Sequence, residues 1–394
     1  MSSRVCCVGA HLRAATVAAA CAAIALAAVT HHAAQLLHRY VHSLAPGEFT
    51  LKGQATAIQR AAFAQPDLFP IYGSSELVKP IPDKASLFFA RYPTDFEAFP
   101  VGRAGFTSLI ILQKLAAVGT ELRGKKVAVS LSPSWFFRHK PPTGAYSGNF
   151  SHMQACELIL SRALSHDLKR DIARRMLEFP GSLENHPALS YALQKLARDS
   201  FRDRCEFALL TPYWYIQRAI QRAQDELETT IYILRHRAEF PAKTAHHPAG
   251  LDWEQLLAEA AQSAPLSRQF KEAHENRGAN DAAFLDNVAR AREWTDFELL
   301  LRELRELGAQ PLILSMPLNG AYFDRIGVSP ASRAVYIQHL RALAAQYNVA
   351  LLDFEEYEQD LRFLSDSHDH LSVEGWMYFD KALDAFYHDR MNRL

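Results

Sequence analysis

Leu68-Phe69-Pro70-Ile71-Tyr72-Gly73-Ser74-Ser75-Glu76-Leu77 is the stretch on which the fold turns. Its first five residues are apolar and uncharged, as a short buried strand requires, and Gly73 ends the run in a tight turn. A serine on such a turn is held out of the sheet at the strand's C-terminal edge, where parallel sheets bind ligands. A hydroxyl there becomes a nucleophile when a base reaches it. Taken alone, Gly-Ser-Ser is also an ordinary turn.

Outward from this stretch the chain alternates. Asp95–Val101 reads as a second strand, 106–118 has helical spacing, and Lys126-Val127-Ala128-Val129-Ser130-Leu131 is a buried strand closed by Ser132-Pro133. Far downstream, Pro311–Ser315 is a strand, 330–347 a helix, Val349–Phe354 a strand and 373–387 a final helix. Strands alternating with helices at both ends imply an α/β fold, a parallel sheet covered by helices. Between them, 151–237 is helical and charged, 240–280 is loop-like around His246-His247, and 293–307 is amphipathic. The expectation is a helical insertion over 151–307 within a single domain spanning 45–394.

Composition excludes several classes. The chain has 394 residues, and its 43 basic and 43 acidic side chains cancel, so it lacks the basic excess of a nucleic-acid binder. Residues 14–29 are apolar and preceded by Arg4 and Arg13. Extended to 37 they reach the length of a transmembrane helix. The arginines would keep 1–13 in the cytoplasm and export the rest. An uncleaved signal anchor over 14–37 is the expectation, and a cleavable signal peptide is its rival. Cys156 and Cys205 fall in the exported part, where a disulfide or two thiols are equally open.

The second chemical locus is Ser365-Asp366-Ser367-His368-Asp369-His370-Leu371-Ser372-Val373-Glu374-Gly375-Trp376, between the last strand and the last helix. An imidazole oriented by a carboxylate can take a serine proton. His368-x-His370 could instead chelate, but no third cluster has metal-ligand spacing, so neither metal nor cofactor is expected. Ser372 also suits a helix N-cap.

A nucleophile after the first strand and an Asp/His loop before the last helix resembles the SGNH (GDSL-type) hydrolases. Within that superfamily the chain resembles the DltD family, the D-alanyl transfer proteins of teichoic acid modification. The residues that carry the likeness are Gly73-Ser74-Ser75-Glu76-Leu77, Val101-Gly102-Arg103-Ala104-Gly105, Ser132-Pro133-Ser134-Trp135-Phe136, and His370 through Gly375-Trp376. The resemblance implies a three-layer α/β/α, flavodoxin-like sandwich. It implies Ser75 as nucleophile and His370 as base, with Asp366 as the acid and Asp369 as the alternative; a shifted reading pairs Asp366 with His368. Gly105 would donate to an oxyanion, while Ser132, Trp135 and Arg103 would contact substrate. The superfamily's third-block Asn is absent. By resemblance the partners are a membrane-bound O-acyltransferase, a D-alanyl donor and an envelope glycopolymer, either teichoic acid or lipopolysaccharide. The action would lie outside the cytoplasmic membrane, in the periplasm of a Gram-negative cell. Water as acceptor would make the same site a thioesterase or O-acetyl esterase, and a non-catalytic scaffold is the other reading.

Overall fold

A computed structural model describes residues 2–92, 94–139, 143–239, 250–263, 280–366 and 370–393. Five parallel strands form one sheet: β1 (Leu68–Gly73), β2 (Glu97–Gly102), β3 (Lys126–Leu131), β4 (Gln310–Ser315) and β5 (Ala350–Leu352). Their spatial order is β2-β1-β3-β4-β5. Gly73 lies opposite Gly102, and Leu131 opposite Ser315, so these strand ends are level and the loops leave along one rim. The chain reverses its direction of travel across the sheet between β1 and β3. In open α/β sheets the crevice at that reversal is where ligands bind. Pro70 has no N–H to give, and the β1–β3 ladder pairs only Ile71 and Tyr72.

Side chains alternate across the sheet, and the two faces feed two cores. Tyr72, Val127, Val129 and Ile313 pack with the helices Ser108–Val118, Glu293–Leu307 and Pro330–Tyr347. Phe69, Ile71, Ala128 and Leu314 pack with the helices Ala85–Arg91 and Val373–Tyr387. These are the helix–sheet–helix layers expected from the alternation. Two strands are shorter than expected, for backbone reasons. Asp95 adopts φ 67° and Phe354 φ 52°, left-handed conformations that cannot continue a strand.

The helical middle is built as its caps dictate. Ser151, Ser165 and Ser200 each accept the N–H of the third residue beyond, opening the helices His152–Leu160, His166–Met176 and Phe201–His236. The helix Glu293–Leu307 packs on Ser108–Val118 in the layer that covers the sheet. Arg175 ties the insertion to it through two bonds to Asp296, at 2.7 and 3.0 Å. Trp214 is buried, while Tyr213 is exposed. His246-His247 lie outside the described residues.

The expected membrane span is not supported. Among the described residues no helix is long and apolar enough to cross a membrane. Half of the stretch 14–37 is alanine, whose methyl offers little apolar area, and it includes His31, His32 and Gln35. It belongs to one helix, Ser2–Leu44, which runs past 37 into the protein body. Leu37, Val41 and Leu44 join the core below the sheet, while Leu12, Val17, Ile24 and Val29 are exposed. Cys156 is a buried free thiol and Cys205 an exposed one, so the open question of a disulfide resolves to two thiols.

Candidate active site

The turn after β1 is sterically determined. A Cβ on Gly73 would run into the Glu76 carboxylate and stand 2.9 Å from Leu77 Cδ1 and 3.0 Å from Ser130 Cβ, so a larger residue here would force these side chains to shift. Glu76 in turn accepts the Ser74 N–H at 2.7 Å. Ser74 Oγ accepts the Gly105 N–H at 3.2 Å, which pins the loop after β2 to the loop after β1. Ser75 then opens a single 3-10 turn, Ser75–Leu77, and its side chain is half-buried.

The facing loop is equally constrained. Leu364 and Leu371 form an antiparallel bridge, and the Ser365 N–H and hydroxyl both donate to the His370 carbonyl, at 2.7 and 3.0 Å. Ser372 caps the last helix by accepting the Gly375 N–H at 3.2 Å. A Cβ on Gly375 would lie 2.2 Å from the Phe363 carbonyl oxygen, so the helix start and the loop base are in backbone contact.

These two loops meet. Ser75 Oγ lies 2.9 Å from His370 Nε2. On the other side of the ring, His370 Nδ1 hydrogen-bonds Asp366 Oδ2, and Asp366 Oδ1 accepts the His370 backbone N–H at 3.3 Å. A carboxylate can only accept, so Nδ1 carries the proton and Nε2 is left to accept from the serine. Burial pushes the Asp366 carboxyl up, but hydrogen bonds from His370 and Lys79 outweigh it and hold the group well below the usual carboxylate range. Asp366 therefore stays ionised wherever the protein is folded at ordinary pH. Such an arrangement lowers the cost of drawing a proton from Ser75 and holding it on the ring.

Two further residues of the cluster were not foreseen. Lys79 Nζ donates to Asp366 Oδ2 at 2.6 Å, and Asn319 Nδ2 donates to the Asp366 carbonyl at 3.3 Å. Lys79 gave no signal, since a lone lysine reads as a solvated one. Asn319 follows β4 on the same rim, so a search of every strand end for polar side chains would have found it. Asp369 and His368 lie outside the described residues. The Gly105 N–H goes to Ser74 Oγ. The Ser132 and Ser134 hydroxyls lie 2.9 Å apart after β3. The Trp135 Nε1–H is buried with no partner among the described residues. Arg103 is exposed on the loop after β2.

The family model described as DltD protein matches residues 50–388. The chain belongs to the DltD family. Two relatives named Protein DltD, from Bacillus subtilis (strain 168) and Staphylococcus aureus (strain NCTC 8325 / PS 47), are each 26% identical to it. The first alignment covers 85% of this chain and 86% of that protein, the second 84% of each. A third Protein DltD, from Lacticaseibacillus rhamnosus, is 22% identical over 85% of this chain and 80% of its own length. The DltD match takes in both loops of the site, from Ser75 to His370, and all five strands. Membership supports a role in the D-alanylation of teichoic acid, within the cell envelope.

Proposed function

We propose that the chain is a serine-dependent acyltransferase that acts outside the cytoplasmic membrane and moves D-alanyl groups onto an envelope glycopolymer. The observation that carries this reading is the Ser75 Oγ to His370 Nε2 contact of 2.9 Å, backed by Asp366 on Nδ1. Ser75 Oγ attacks the carbonyl of an activated D-alanyl ester or thioester while His370 Nε2 takes its proton. The tetrahedral intermediate collapses, and the same proton passes to the leaving group. A hydroxyl of the acceptor then gives its proton to His370 and attacks the acyl-serine, and Ser75 is regenerated when the proton returns. Asp366 remains a carboxylate throughout and offsets the imidazolium charge.

The developing oxyanion needs fixed donors. Ser75's own N–H remains as a donor, whereas the Gly105 N–H expected in this role is engaged by Ser74 Oγ at 3.2 Å. Ser132 and Arg103 would contact the substrate beside them. The donor side would be a membrane-bound O-acyltransferase, and the acceptor a teichoic acid or, in a Gram-negative envelope, lipopolysaccharide. With water in the second step the same groups act as a thioesterase or esterase.

The test is Ser75→Ala in the intact chain. Loss of D-alanine esters from the envelope, with the melting temperature unchanged, is the expected result. Undiminished ester content in cells that carry only Ser75→Ala would leave the chain a scaffold. The mass of the adduct trapped on Ser75 would separate D-alanyl from acetyl transfer.

A further inference from the structure

A cavity of about 330 Å³ lies where the helices Ser2–Leu44, Thr56–Ala64 and Phe201–His236 meet. None of its lining residues belongs to the two loops that carry Ser75 and His370. Ala33 and Leu37 of the first helix and Ala57, Ala61 and Ala64 of the second give it an apolar wall. The facing wall is one side of the long helix, where Arg222, Asp225, Glu226 and Thr229 follow at the spacing that sets side chains next to one another. Cavities that take small ligands run from about 300 to 1,000 Å³, so this one has room for a small organic molecule and far more than a single ion needs.

The cations of this cavity are already engaged. Arg222 donates through Nε and Nη2 to the two oxygens of the buried Glu157, the second at 2.6 Å. Arg60 donates to the carbonyls of Val118 and Ala117, at 3.4 and 2.5 Å, and lies 3.4 Å from Glu157 and 3.8 Å from Glu121. His38 is exposed at the edge and bonds Gln65 at 2.9 Å. The acceptors are not engaged in the same way. Asp225 accepts the Ala57 N–H at 2.7 Å. Glu226 Oε2 and Thr229 Oγ1 are buried with no partner among the described residues, and Thr229 is 1% exposed. A helical threonine can return its hydroxyl to the carbonyl one turn back, as Thr230 does to Glu226 at 2.7 Å, but Thr229 does not. Two guanidinium charges thus stand against four carboxylates, those of Glu121, Glu157, Asp225 and Glu226. Burial pushes the Asp225 carboxyl up to about 7 and raises that of Glu226 too, even with the arginines nearby. These carboxylates lack a cation of their own.

We propose that this cavity binds a primary ammonium group carried on a short alkyl stem. The three N–H donors of an ammonium match the acceptors of Asp225, Glu226 and Thr229, and the stem lies against the alanine wall. A metal ion would leave most of the volume empty, and among the described residues no cluster of three His, Cys, Asp or Glu side chains could hold one. An alkylamine in solution and the headgroup of an aminophospholipid both end in this group. The site stands whether or not Ser75 is a nucleophile.

The test is titration calorimetry on the intact chain at about pH 8, where Asp225 is mostly ionised and an alkylamine keeps its proton, and at low ionic strength, where charges are least screened. The probes are n-butylammonium, n-butyltrimethylammonium, which keeps the charge without N–H donors, and 1-butanol, which keeps the stem without the charge. Butylammonium is expected to bind at least about tenfold more tightly than either control, which is about 1.4 kcal/mol. Thr229→Val keeps the shape and removes an oxygen that no described residue satisfies, so its melting curve should hold while binding weakens several-fold. Glu226→Gln, at a half-buried position, should weaken binding at least about tenfold. Flotation with vesicles of phosphatidylcholine, with and without phosphatidylethanolamine, tells the source. Association that needs the ethanolamine lipid and is lost in Glu226→Gln marks a membrane headgroup, and butylammonium binding without such association marks a free amine. No measurable binding of butylammonium, equal binding of either control, or wild-type binding by both the Thr229→Val and Glu226→Gln variants overturns the site.

Discussion

Replacing Asp366 by Asn tests the site at its most connected atom. Asp366 Oδ2 accepts from both His370 Nδ1 and Lys79 Nζ. Asn keeps the shape and removes the charge. Its amide group, if turned to the ring, offers a donor where Nδ1–H needs an acceptor. The imidazole then favours the other tautomer and presents N–H, not a lone pair, to Ser75 Oγ. Hydrogen bonds to a charged group are worth about 1.5–3 kcal/mol each, so the two together bound the effect at about 3–6 kcal/mol. The part already present in the ground state cancels from kcat. What remains is the wrong tautomer and an imidazolium that faces the uncompensated Lys79 ammonium. A loss of about 10³–10⁴ in kcat is expected, the scale on which a serine triad responds to this change. The assay is steady-state release from a chromogenic short-chain ester, alongside a melting curve for each variant. Activity of Asp366→Asn within tenfold of wild type, in a folded protein, would refute the role given to this carboxylate.

Three other outcomes follow from the packing. Gly375→Ala puts a methyl carbon against the Phe363 carbonyl, and a loss of about 3 kcal/mol, the upper end for overpacking, should appear in chemical denaturation; an unchanged midpoint would contradict the close contact. Arg333 is fully buried and paired with Asp324 and Glu358, so Arg333→Met should cost about 3 kcal/mol by leaving Glu358 largely buried without its cation. The same melts would refute this if the variant proved as stable as the wild type. Burial pushes the Asp225 carboxyl up to about 7, against the Ala57 N–H that it accepts at 2.7 Å. The folded state thus keeps a proton that the unfolded chain loses near pH 4, and this group's contribution to stability falls as pH rises to about 7. Asp225→Asn should therefore gain on the wild type across that window, by about 4 kcal/mol at its top, and a gap independent of pH would disprove the assignment.

The sequence made the sheet legible where hydrophobic runs were bounded by glycine or proline. Lys126–Leu131 and Pro330–Tyr347 appear with the bounds read from composition alone. Legibility failed where a backbone angle and not a side chain sets the boundary, as at Asp95 and Phe354. It failed again over 14–37, where an alanine-rich run reads as a span by length although its methyl groups supply too little apolar surface for one. In the site, Ser75 and His370 could be paired because the family resemblance joined a turn serine to an Asp/His loop, two features that each read as an ordinary loop alone. Lys79 could not, because nothing local separates a lysine aimed at a carboxylate from one in water.

The helix Ser2–Leu44 enters the body without a break, and its last turns are packed in the core. A rod seated in that way has no joint. At about 1.5 Å per residue it extends about 64 Å, so a load on its outer end reaches the layer beneath the sheet through continuous helix. Whatever holds the outer half would thus be linked to the rim that bears Ser75 by helix alone, and a glycine-rich splice near Ala33 would loosen that link.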